Sequence, residues 1–196
     1  MAKRLCVLFA GTAGAGKDAA ANMLSKALVA RGHSTLRMAF ADPIKDVAFH
    51  LLGIPKEVSY GTQKDKADYV VYNRSARSWL QWIGTELARD QIHKDIWVTR
   101  FSEKALSSDA TVVIGSDCRF RNEMKLMKSL LGQTMDLKII KIINPRVLVN
   151  TAHLSESEIF STPNHEFDLV IENNTGLEEL ESSIINLSDK LIRSMT

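Results

Sequence analysis

The sequence predicts a three-layer α/β fold with a central, mainly parallel sheet of five strands. Five short apolar runs have the composition of β-strands, and helical segments separate them along the chain. Two of the runs, "TVVIG" and "LKIIKIIN", lack a clean alternation of polar and apolar residues, which is typical of strands buried on both faces. The predicted strands cover residues 5–10, 35–40, 111–114, 137–143 and 169–171.

Several of the predicted helices have an apolar stripe or a recognisable helix end. The first stops before Gly32, a residue type that helices often use just past their C-terminus. Asp42 followed by Pro43 predicts a helix start, with the aspartate as N-cap and the proline at the first helical position. The predicted helices cover residues 17–31, 43–52, 76–93, 95–106, 121–132 and 177–193. Strands that alternate with helices are joined by right-handed crossovers.

The composition is that of one soluble, globular domain over residues 1–196. The chain is 45% hydrophobic and 24% charged, and no apolar run approaches the roughly 20 residues that a membrane helix needs. Two cysteines are too few for a disulfide framework and suit the reducing cytoplasm. Residues 54–75 are expected to be a substrate-side insertion, and residues 144–166 either a lid loop or a plain surface loop.

The charge is distributed unevenly along the chain. Residues 149–196 carry 2 Lys/Arg and 9 Asp/Glu, a balance of −7, which leaves 23 and 14, a balance of +9, in residues 1–148. A positive body favours an anionic substrate, although ordinary surface charge would give the same count. Basic residues are not clustered with aromatic ones, so polymeric nucleic acid is not an expected partner.

The segment "GTAGAGKD", residues 11–18, has the spacing of a phosphate-binding loop between a buried strand and a helix. Glycines let the backbone aim its N–H groups at a phosphate, and the helix N-terminus adds partial positive charge. Lys17 is expected to reach the β- and γ-phosphates of a nucleoside triphosphate. The predicted triphosphate-binding residues are Ala13, Gly14, Ala15, Gly16, Lys17, Asp18 and Ala19.

Asp18 stands where the usual loop has a hydroxyl residue that ligates Mg²⁺. Its carboxylate is a hard oxygen donor, suited to Mg²⁺ directly or through a water molecule. The alternative is that Asp18 only adds a favourable negative charge to the start of a helix.

The segment "SDCRFRNE", residues 116–123, places charged side chains just beyond the third predicted strand. Ligands of open α/β sheets bind at this edge, so Asp117 is expected to organise Mg²⁺ or a substrate hydroxyl. Arg119 offers a fork of donors that suits a phosphate, and Arg121 and Glu123 follow near the next helix. A surface turn with helix-entry charges is the alternative interpretation.

The third predicted helix carries a second candidate site. Arg77, Gln81, Gly84 and Thr85 recur there at helical spacing. A glycine inside a helix costs about 1 kcal/mol relative to alanine, so Gly84 indicates a close approach by a ligand or another backbone. Arg77 could clamp a phosphate, and Gln81 and Thr85 could bind a base or sugar; a helix–helix contact at Gly84 is the alternative. Trp97, near a helix start, could stack on a base.

These segments make the sequence resemble the deoxynucleoside monophosphate kinases of some tailed bacteriophages. The shared segments follow one another through most of the chain: "GTAGAGKD", "LQWIGTELARDQIHKDIWV", "SDCRFRNE", "HLSES" and "FDLVIENNTGLEEL". The "GTEL…IW" and "D-x-R-F-x-N-E" blocks are specific to that family. Phosphate loops ending in Lys-Asp also occur in it, so Asp18 fits the family pattern.

The resemblance implies a P-loop NTPase or nucleoside monophosphate kinase-like fold and transfer of the γ-phosphoryl of ATP, with Mg²⁺, to a dNMP. The implied catalytic residues are Lys17, Asp18, Asp117 and Arg119, with Asp18 and Asp117 as metal ligands. The implied substrate-binding residues are Arg77, Gln81, Gly84, Thr85, Trp97, Asp117, Arg119 and Glu123. Ser78 departs from the pattern, because some members have a basic residue there. A cytoplasmic location, in the host if the gene is a phage's, is expected, and a homodimer is one open oligomeric state.

Two other functions fit part of the pattern. A small-molecule kinase resembling dephospho-coenzyme A kinase would share the fold and the loop, but not the "GTEL…IW" block. A nucleotide-binding switch or ATPase would turn over without a small acceptor.

Within residues 144–166, Arg146 and His153 are the side chains expected to help a lid exclude water.

Overall fold

The computed structural model describes residues 4–148 and 154–195 and contains a parallel sheet of five strands. The strands are β1 (Arg4–Ala10), β2 (Thr35–Met38), β3 (Val70–Val71), β4 (Arg74–Ser75), β5 (Val112–Cys118), β6 (Met135–Ile143) and β7 (Leu169–Glu172). The sheet order is β2-β5-β1-β6-β7, and every neighbouring pair is parallel. The predicted central sheet is confirmed.

All six predicted helices are present in the described residues. The helices are α1 (Lys17–Val29), α2 (Asp42–Leu52), α3 (Lys56–Tyr60), α4 (Gln63–Asp68), α5 (Ala76–Trp82), α6 (Ile96–Ser107), α7 (Arg121–Leu131), α8 (Leu154–Ser161) and α9 (Leu177–Met195). Of these, α3, α4 and α8 lie outside the predicted helical ranges. One turn of π-helix (Ile83–Leu87) continues α5, and a 3₁₀ turn (Asn164–Glu166) precedes β7. In the described part of the chain, none of the helices combines the length and apolar character needed to cross a membrane.

The chain divides into two compact units. The first consists of Met1–Ala39 and Phe101–Thr196 and holds the five-stranded sheet. The second is Phe40–Arg100 and holds α2 to α5 and the hairpin of β3 and β4. The segment that the sequence predicts as a substrate-side insertion, residues 54–75, therefore belongs to the second unit.

The core of the first unit has helices on both sides of the sheet. Every residue of β1 from Leu5 to Ala10 is fully buried, as expected for the centre of a parallel sheet. Alternate residues of β1 belong to one apolar cluster with α1 and α9. On the opposite face, a Cβ added at Gly115 would lie 2.6 Å from Leu8 Cδ2 and 3.0 Å from Phe101 Cζ of α6. This arrangement is the predicted three-layer fold.

Residues 54–75, expected to be a substrate-side insertion, consist largely of regular secondary structure. It forms α3, α4 and the β3–β4 hairpin. Thr62 and Asp65 start α4 with a reciprocal pair of side-chain hydrogen bonds. Tyr72 and Asn73 take left-handed conformations, with φ of 47° and 61°, which two-residue hairpin turns require. Short elements such as these leave too few residues for a periodic pattern to emerge.

Several predicted element boundaries are wrong by a few residues. Asp42 is the first residue of α2 rather than its N-cap, which is Ala41. The third predicted helix is α-helical only to Trp82, because the following turn is a π-helix. Residues 144–166, predicted as a loop, contain α8. Strand β5 extends to Cys118, so Asp117 lies within the strand and not beyond it.

Candidate active site

The glycine loop joins β1 to α1 and requires glycine where the sequence has it. Gly11 has φ of +144°, and a Cβ at that position would collide with the carbonyl oxygen of Ile142 on β6. Gly16 caps α1 in a left-handed conformation, with φ of +106°. The loop therefore turns sharply over the carboxyl edge of the sheet and ends at a helix N-terminus, the arrangement that binds anions.

Lys17 is buried at the first position of α1, with 5% of its surface exposed. Its Nζ donates a 2.6 Å hydrogen bond to the carbonyl oxygen of Thr12, so the side chain folds back over its own loop. Burial, followed by the charge of Arg119, lowers the pKa of Lys17 to about 8, while Glu156, Asp18 and Asp117 act in the opposite direction. An anion placed beside this ammonium would favour its protonated form and raise the pKa of Lys17.

The end of β5 contains an irregularity beside Asp117. Leu8 pairs with Gly115 and Ala10 pairs with Cys118, so β5 spans three residue steps where β1 spans two. An extra residue of this kind forms a bulge, which redirects side chains and often occurs next to active sites. Asp117 is half-buried here, and its charge influences Lys17 on the neighbouring loop.

Glu123 holds the turn that carries Arg119. Its Oε2 accepts hydrogen bonds from the backbone N–H groups of Arg119, at 2.8 Å, and Phe120, at 3.0 Å. The Glu123 side chain is buried at the start of α7. This capping contact fixes the backbone from which the Arg119 guanidinium projects.

Glu156 joins the site although no periodic pattern in the sequence indicates it. Its Oε2 accepts a 2.7 Å hydrogen bond from the N–H of Ala13, and its Oε1 accepts one of 2.6 Å from Arg119 Nη1. Glu156 lies on α8, inside a segment predicted to be a loop. Glu156 belongs to the segment "HLSES", one of the segments that resemble the family.

Asn173 is a second residue that sequence reasoning missed. It follows β7, is buried, and donates a 3.2 Å hydrogen bond from Nδ2 to the carbonyl oxygen of Ala15. Its own N–H donates to Ile143 on β6 at 2.7 Å. Asn173 thus ties the glycine loop to the ends of two strands, a connection that spans more than 150 residues and has no local signature.

Other charged residues from the sequence analysis are engaged elsewhere. The Arg121 guanidinium pairs with Glu166. Arg146 donates from Nη1 to the carbonyl oxygen of Thr175 at 3.2 Å and is exposed. His153, the second candidate lid residue, lies outside the described residues.

The candidate substrate residues of the second unit divide into exposed and buried sets. Arg77, Gln81 and Thr85 are exposed, and Gly84 is buried. A Cβ at Gly84 would lie 3.0 Å from Cδ1 of Ile44, so the close neighbour of this glycine is a side chain of α2. The Gly84 carbonyl oxygen accepts a 2.8 Å hydrogen bond from Nε1 of Trp97, whose indole is buried.

The Gly84 carbonyl group belongs to the π-helical turn. A π-turn shifts the backbone bond from i→i+4 to i→i+5, as Ala88 N–H to Ile83 O at 3.2 Å illustrates. Such turns are frequent at functional sites. The turn therefore marks the "GTEL" segment as a structurally unusual part of the second unit.

The residues near the loop fit a Mg²⁺ ion that arrives with a nucleotide. Among residues 4–148 and 154–195, no group of three or more His, Cys, Asp or Glu side chains could hold a metal by itself. Mg²⁺ instead favours one or two carboxylates together with substrate phosphates and water. Asp18, which is exposed, and Asp117 supply two carboxylates whose charges both act on Lys17.

A parallel sheet, a glycine loop over its carboxyl edge and a buried lysine at the following helix define a P-loop kinase class of protein. A solved structure with this architecture is the APS kinase of Mycobacterium tuberculosis, which is 16% identical, with a TM-score of 0.55. The comparison covers 96% of this chain and 99% of that one, and at this identity it concerns the fold.

The chain belongs to the deoxynucleotide monophosphate kinase family. The family model matches residues 52–184, which include Arg77 and Arg119. A provisionally named deoxynucleotide monophosphate kinase of Acanthamoeba polyphaga mimivirus is 32% identical over 91% of this chain and 93% of its own length. The deoxynucleoside-5'-monophosphate kinase of Escherichia phage T5 is 28% identical over 59% of this chain and 46% of its own length. The family prediction is confirmed, and the protein is an ATP-dependent phosphotransferase that acts on a nucleotide.

Proposed function

We propose that this protein transfers the γ-phosphoryl group of ATP to a deoxynucleoside monophosphate, giving dNDP and ADP. The observation that carries the proposal is a buried Lys17 folded over its glycine loop, to which Glu156 joins Arg119, in a chain of this family. The mimivirus and phage relatives bear names that specify deoxynucleotide substrates. The acceptor class follows from these names and from the "GTEL…IW" block.

The donor triphosphate binds the first unit in this proposal. Backbone N–H groups of residues 13–19 and the N-terminus of α1 hold the phosphates, and the Lys17 ammonium stabilises charge on the β- and γ-phosphates. Asp18 and Asp117 hold Mg²⁺, directly or through water. When bound, Mg²⁺ neutralises charge on the β- and γ-phosphate oxygens.

The acceptor monophosphate is bound by side chains that can form paired hydrogen bonds with it. Arg119 and Arg77 present guanidinium groups, which match two phosphate oxygens at once. Gln81 and Thr85 lie with Arg77 on the exposed side of their helix and would bind the sugar or base. Gly84 and Trp97 stabilise the buried side of that helix, because the Trp97 indole N–H donates a hydrogen bond to the Gly84 carbonyl oxygen.

The chemistry needs no general base on this protein. The acceptor is a phosphate, whose second ionisation lies near pH 6, so it is a nucleophile at neutral pH. Catalysis then consists of aligning two phosphates and neutralising the charge of the transferred group. Glu123 contributes by fixing the backbone of Arg119.

The test is an ADP-release assay of the full chain with ATP and Mg²⁺. The reaction is measured with each of the four dNMPs, with each of the four NMPs, with dephospho-coenzyme A and without acceptor. Stimulation by at least one dNMP well above the rate without acceptor is the expected result. Turnover that is independent of any acceptor would contradict the proposal and favour an ATPase or switch. Stimulation by dephospho-coenzyme A alone would favour the related small-molecule kinase.

The cellular location and the oligomeric state extend this proposal. Two buried, unpaired cysteines and relatives from a virus and phages support a cytoplasmic enzyme, in the cytoplasm of the host if the gene is viral. A homodimer is the oligomeric state to test first, by light scattering of the purified chain.

A further inference from the structure

The Glu156 carboxylate is bonded to two donors that the proposed function assigns to phosphate binding. One is the N–H of Ala13 in the glycine loop, at 2.7 Å from Oε2. The other is Arg119 Nη1, at 2.6 Å from Oε1. The two donors come from different strand ends, one after β1 and one after β5. Two oxygens of a single anionic group thus bridge them, as two oxygens of a phosphate would.

The environment of Glu156 shows that this contact is built into the site. Only 9% of the Glu156 side chain is exposed, although the residue belongs to a largely polar helix. Both contacts have the short distances of charge-assisted hydrogen bonds. The negative charge of Glu156 also favours the protonated form of Lys17, whereas burial and the charge of Arg119 disfavour it. The carboxylate therefore balances two cations that would otherwise repel each other.

A phosphate cannot share the Ala13 N–H with the Glu156 carboxylate. Ala13 has one backbone N–H, and both a carboxylate and a phosphate can only accept hydrogen bonds from it. Two anions held against the same arginine and loop would also repel each other strongly at this depth. A phosphate group that binds the Ala13 N–H and Arg119 must first displace Glu156.

We propose that Glu156 is an internal stand-in for a substrate phosphate. Its carboxylate accepts hydrogen bonds from both donors and leaves them when a terminal phosphate dianion arrives, so Glu156 sets how tightly that phosphate binds. The inference rests on the proposed function for the assignment of the loop and Arg119 to phosphate. The arriving group is either the γ-phosphate of ATP or the phosphate of the acceptor, which share this chemistry.

The test measures dissociation constants for the Glu156→Gln variant by calorimetry. Glutamine keeps the size of the side chain and removes its charge. The ligands are ATP, ADP, each dNMP and inorganic phosphate, at fixed Mg²⁺ and salt. We expect the variant to bind the ligand whose phosphate takes this position with about a tenfold lower Kd. The reason is that the charged Glu156 carboxylate, which competes for the same hydrogen bonds, is replaced by a neutral amide. A gain for ATP without a gain for ADP identifies the γ-phosphate, and a gain for a dNMP identifies the acceptor phosphate.

Glu158→Gln is the matched control. Glu158 lies on the same helix, and its carboxylate accepts a 2.6 Å hydrogen bond from the N–H of Arg121, outside the proposed phosphate site. The same chemical change at this position is expected to alter each Kd by less than about twofold. An equal gain in both variants would assign the effect to the overall charge of α8 and overturn the proposal.

The sign of the effect separates this proposal from a positioning role. If Glu156 only held Arg119 in place for catalysis, Glu156→Gln would bind phosphate ligands more weakly and lower kcat. Weaker or unchanged binding in that variant overturns the proposal. Thermal unfolding verifies that the variant folds. If it does not fold, Glu156→Asp decides, because its shorter side chain cannot reach both donors; unchanged affinities in that variant would also overturn the proposal.

The outcome is separable from that of the proposed function. Wild-type transfer to a dNMP with unaltered Kd values in Glu156→Gln would leave the kinase assignment intact and reject the stand-in role. Tighter binding of inorganic phosphate in Glu156→Gln, with no transfer by the wild type, would keep the stand-in role and reject the reaction.

Discussion

The two compact units of this protein present their candidate phosphate-binding groups in different ways. In the first, Lys17 is buried, bonded to its own loop, and surrounded by the charges of Arg119, Glu156, Asp18 and Asp117. In the second, Arg77 is exposed on a short helix that continues as a π-turn. The first unit holds its charges in a buried, hydrogen-bonded cluster, whereas the second carries its candidate side chains on an exposed helix face.

The difference matches the demands of the two substrates in the proposed reaction. A triphosphate donor is the same in every turnover, so a rigid backbone cradle can stabilise its transferring group without reorganisation. Discrimination among acceptors depends on side chains that contact a base or sugar. Variation in the second unit would therefore change acceptor preference, while variation in the first would change the rate for every acceptor.

The largest effect is expected from Lys17→Ala, which tests whether the first unit supplies the main charge for transfer. Loss of one preorganised charge should lower kcat by about 10²–10³, or about 3–4 kcal/mol, for every acceptor. Steady-state ADP release measures it. Lys26→Ala, an exposed lysine on the same helix, is the control and should retain full activity. Near-normal turnover of Lys17→Ala would exclude the loop as the donor site.

The next effect compares the two arginines. Arg119→Ala should reduce kcat/KM about 100-fold for all acceptors, because a charge-assisted contact near the transferring group is lost. Arg77→Ala should raise the KM for the dNMP about tenfold and leave the KM for ATP unchanged. Initial rates over a grid of both substrates measure these parameters, with Arg31→Ala, a surface residue paired with Asp189, as the control. If Arg119→Ala changed only the KM for ATP, the donor and acceptor assignments would be reversed.

A third prediction compares the glycines of the two units. Gly11→Ala should destabilise the protein by about 2 kcal/mol or more, because an alanine there is strained and its methyl group meets the Ile142 carbonyl. Gly84→Ala should change the free energy of unfolding by less than about 1 kcal/mol. Its new methyl group meets only the end of the Ile44 side chain, and alanine favours helix. Urea unfolding measures both, and equal losses would show that the second unit is as rigidly packed as the loop.

The smallest effect concerns the protonation of Lys17. The pKa near 8 lies below the ordinary 10.5 mainly because burial disfavours the charged form of Lys17. A bound triphosphate favours that form and raises the pKa, so binding at pH 8 should take up about half a proton. The affinity for the triphosphate should then fall by less than about tenfold between pH 7.5 and 9. The phosphate groups themselves are already ionised over this range, because their last pKa is about 6. Calorimetry in buffers of different ionisation enthalpy measures the uptake, and a Lys17→Met variant that took up as many protons would rule out Lys17 as the source.

Local sequence was enough to predict the strands and the loop because their signals are local. Buried parallel strands are continuous apolar runs, and a glycine loop needs its spacing within eight residues. The short elements of residues 54–75 and the π-turn at Ile83–Leu87 escaped prediction. The hairpin depends on two residues in left-handed conformations. The π-turn interrupts the regular α-helical spacing that the predicted helix over residues 76–93 assumes.

Local residue patterns predict the sheet and the phosphate loop, and the sequence motifs indicate the family and most of the charged residues that the proposed site uses. Only the tertiary structure placed the Glu156 carboxylate on Ala13 and Arg119, tied Asn173 to the loop, and put the bulge beside Asp117. The reason is that a strand or a loop is specified by neighbours along the chain. The partners of a buried charge come from strand ends more than a hundred residues apart, and they meet only when the sheet brings those ends to one edge.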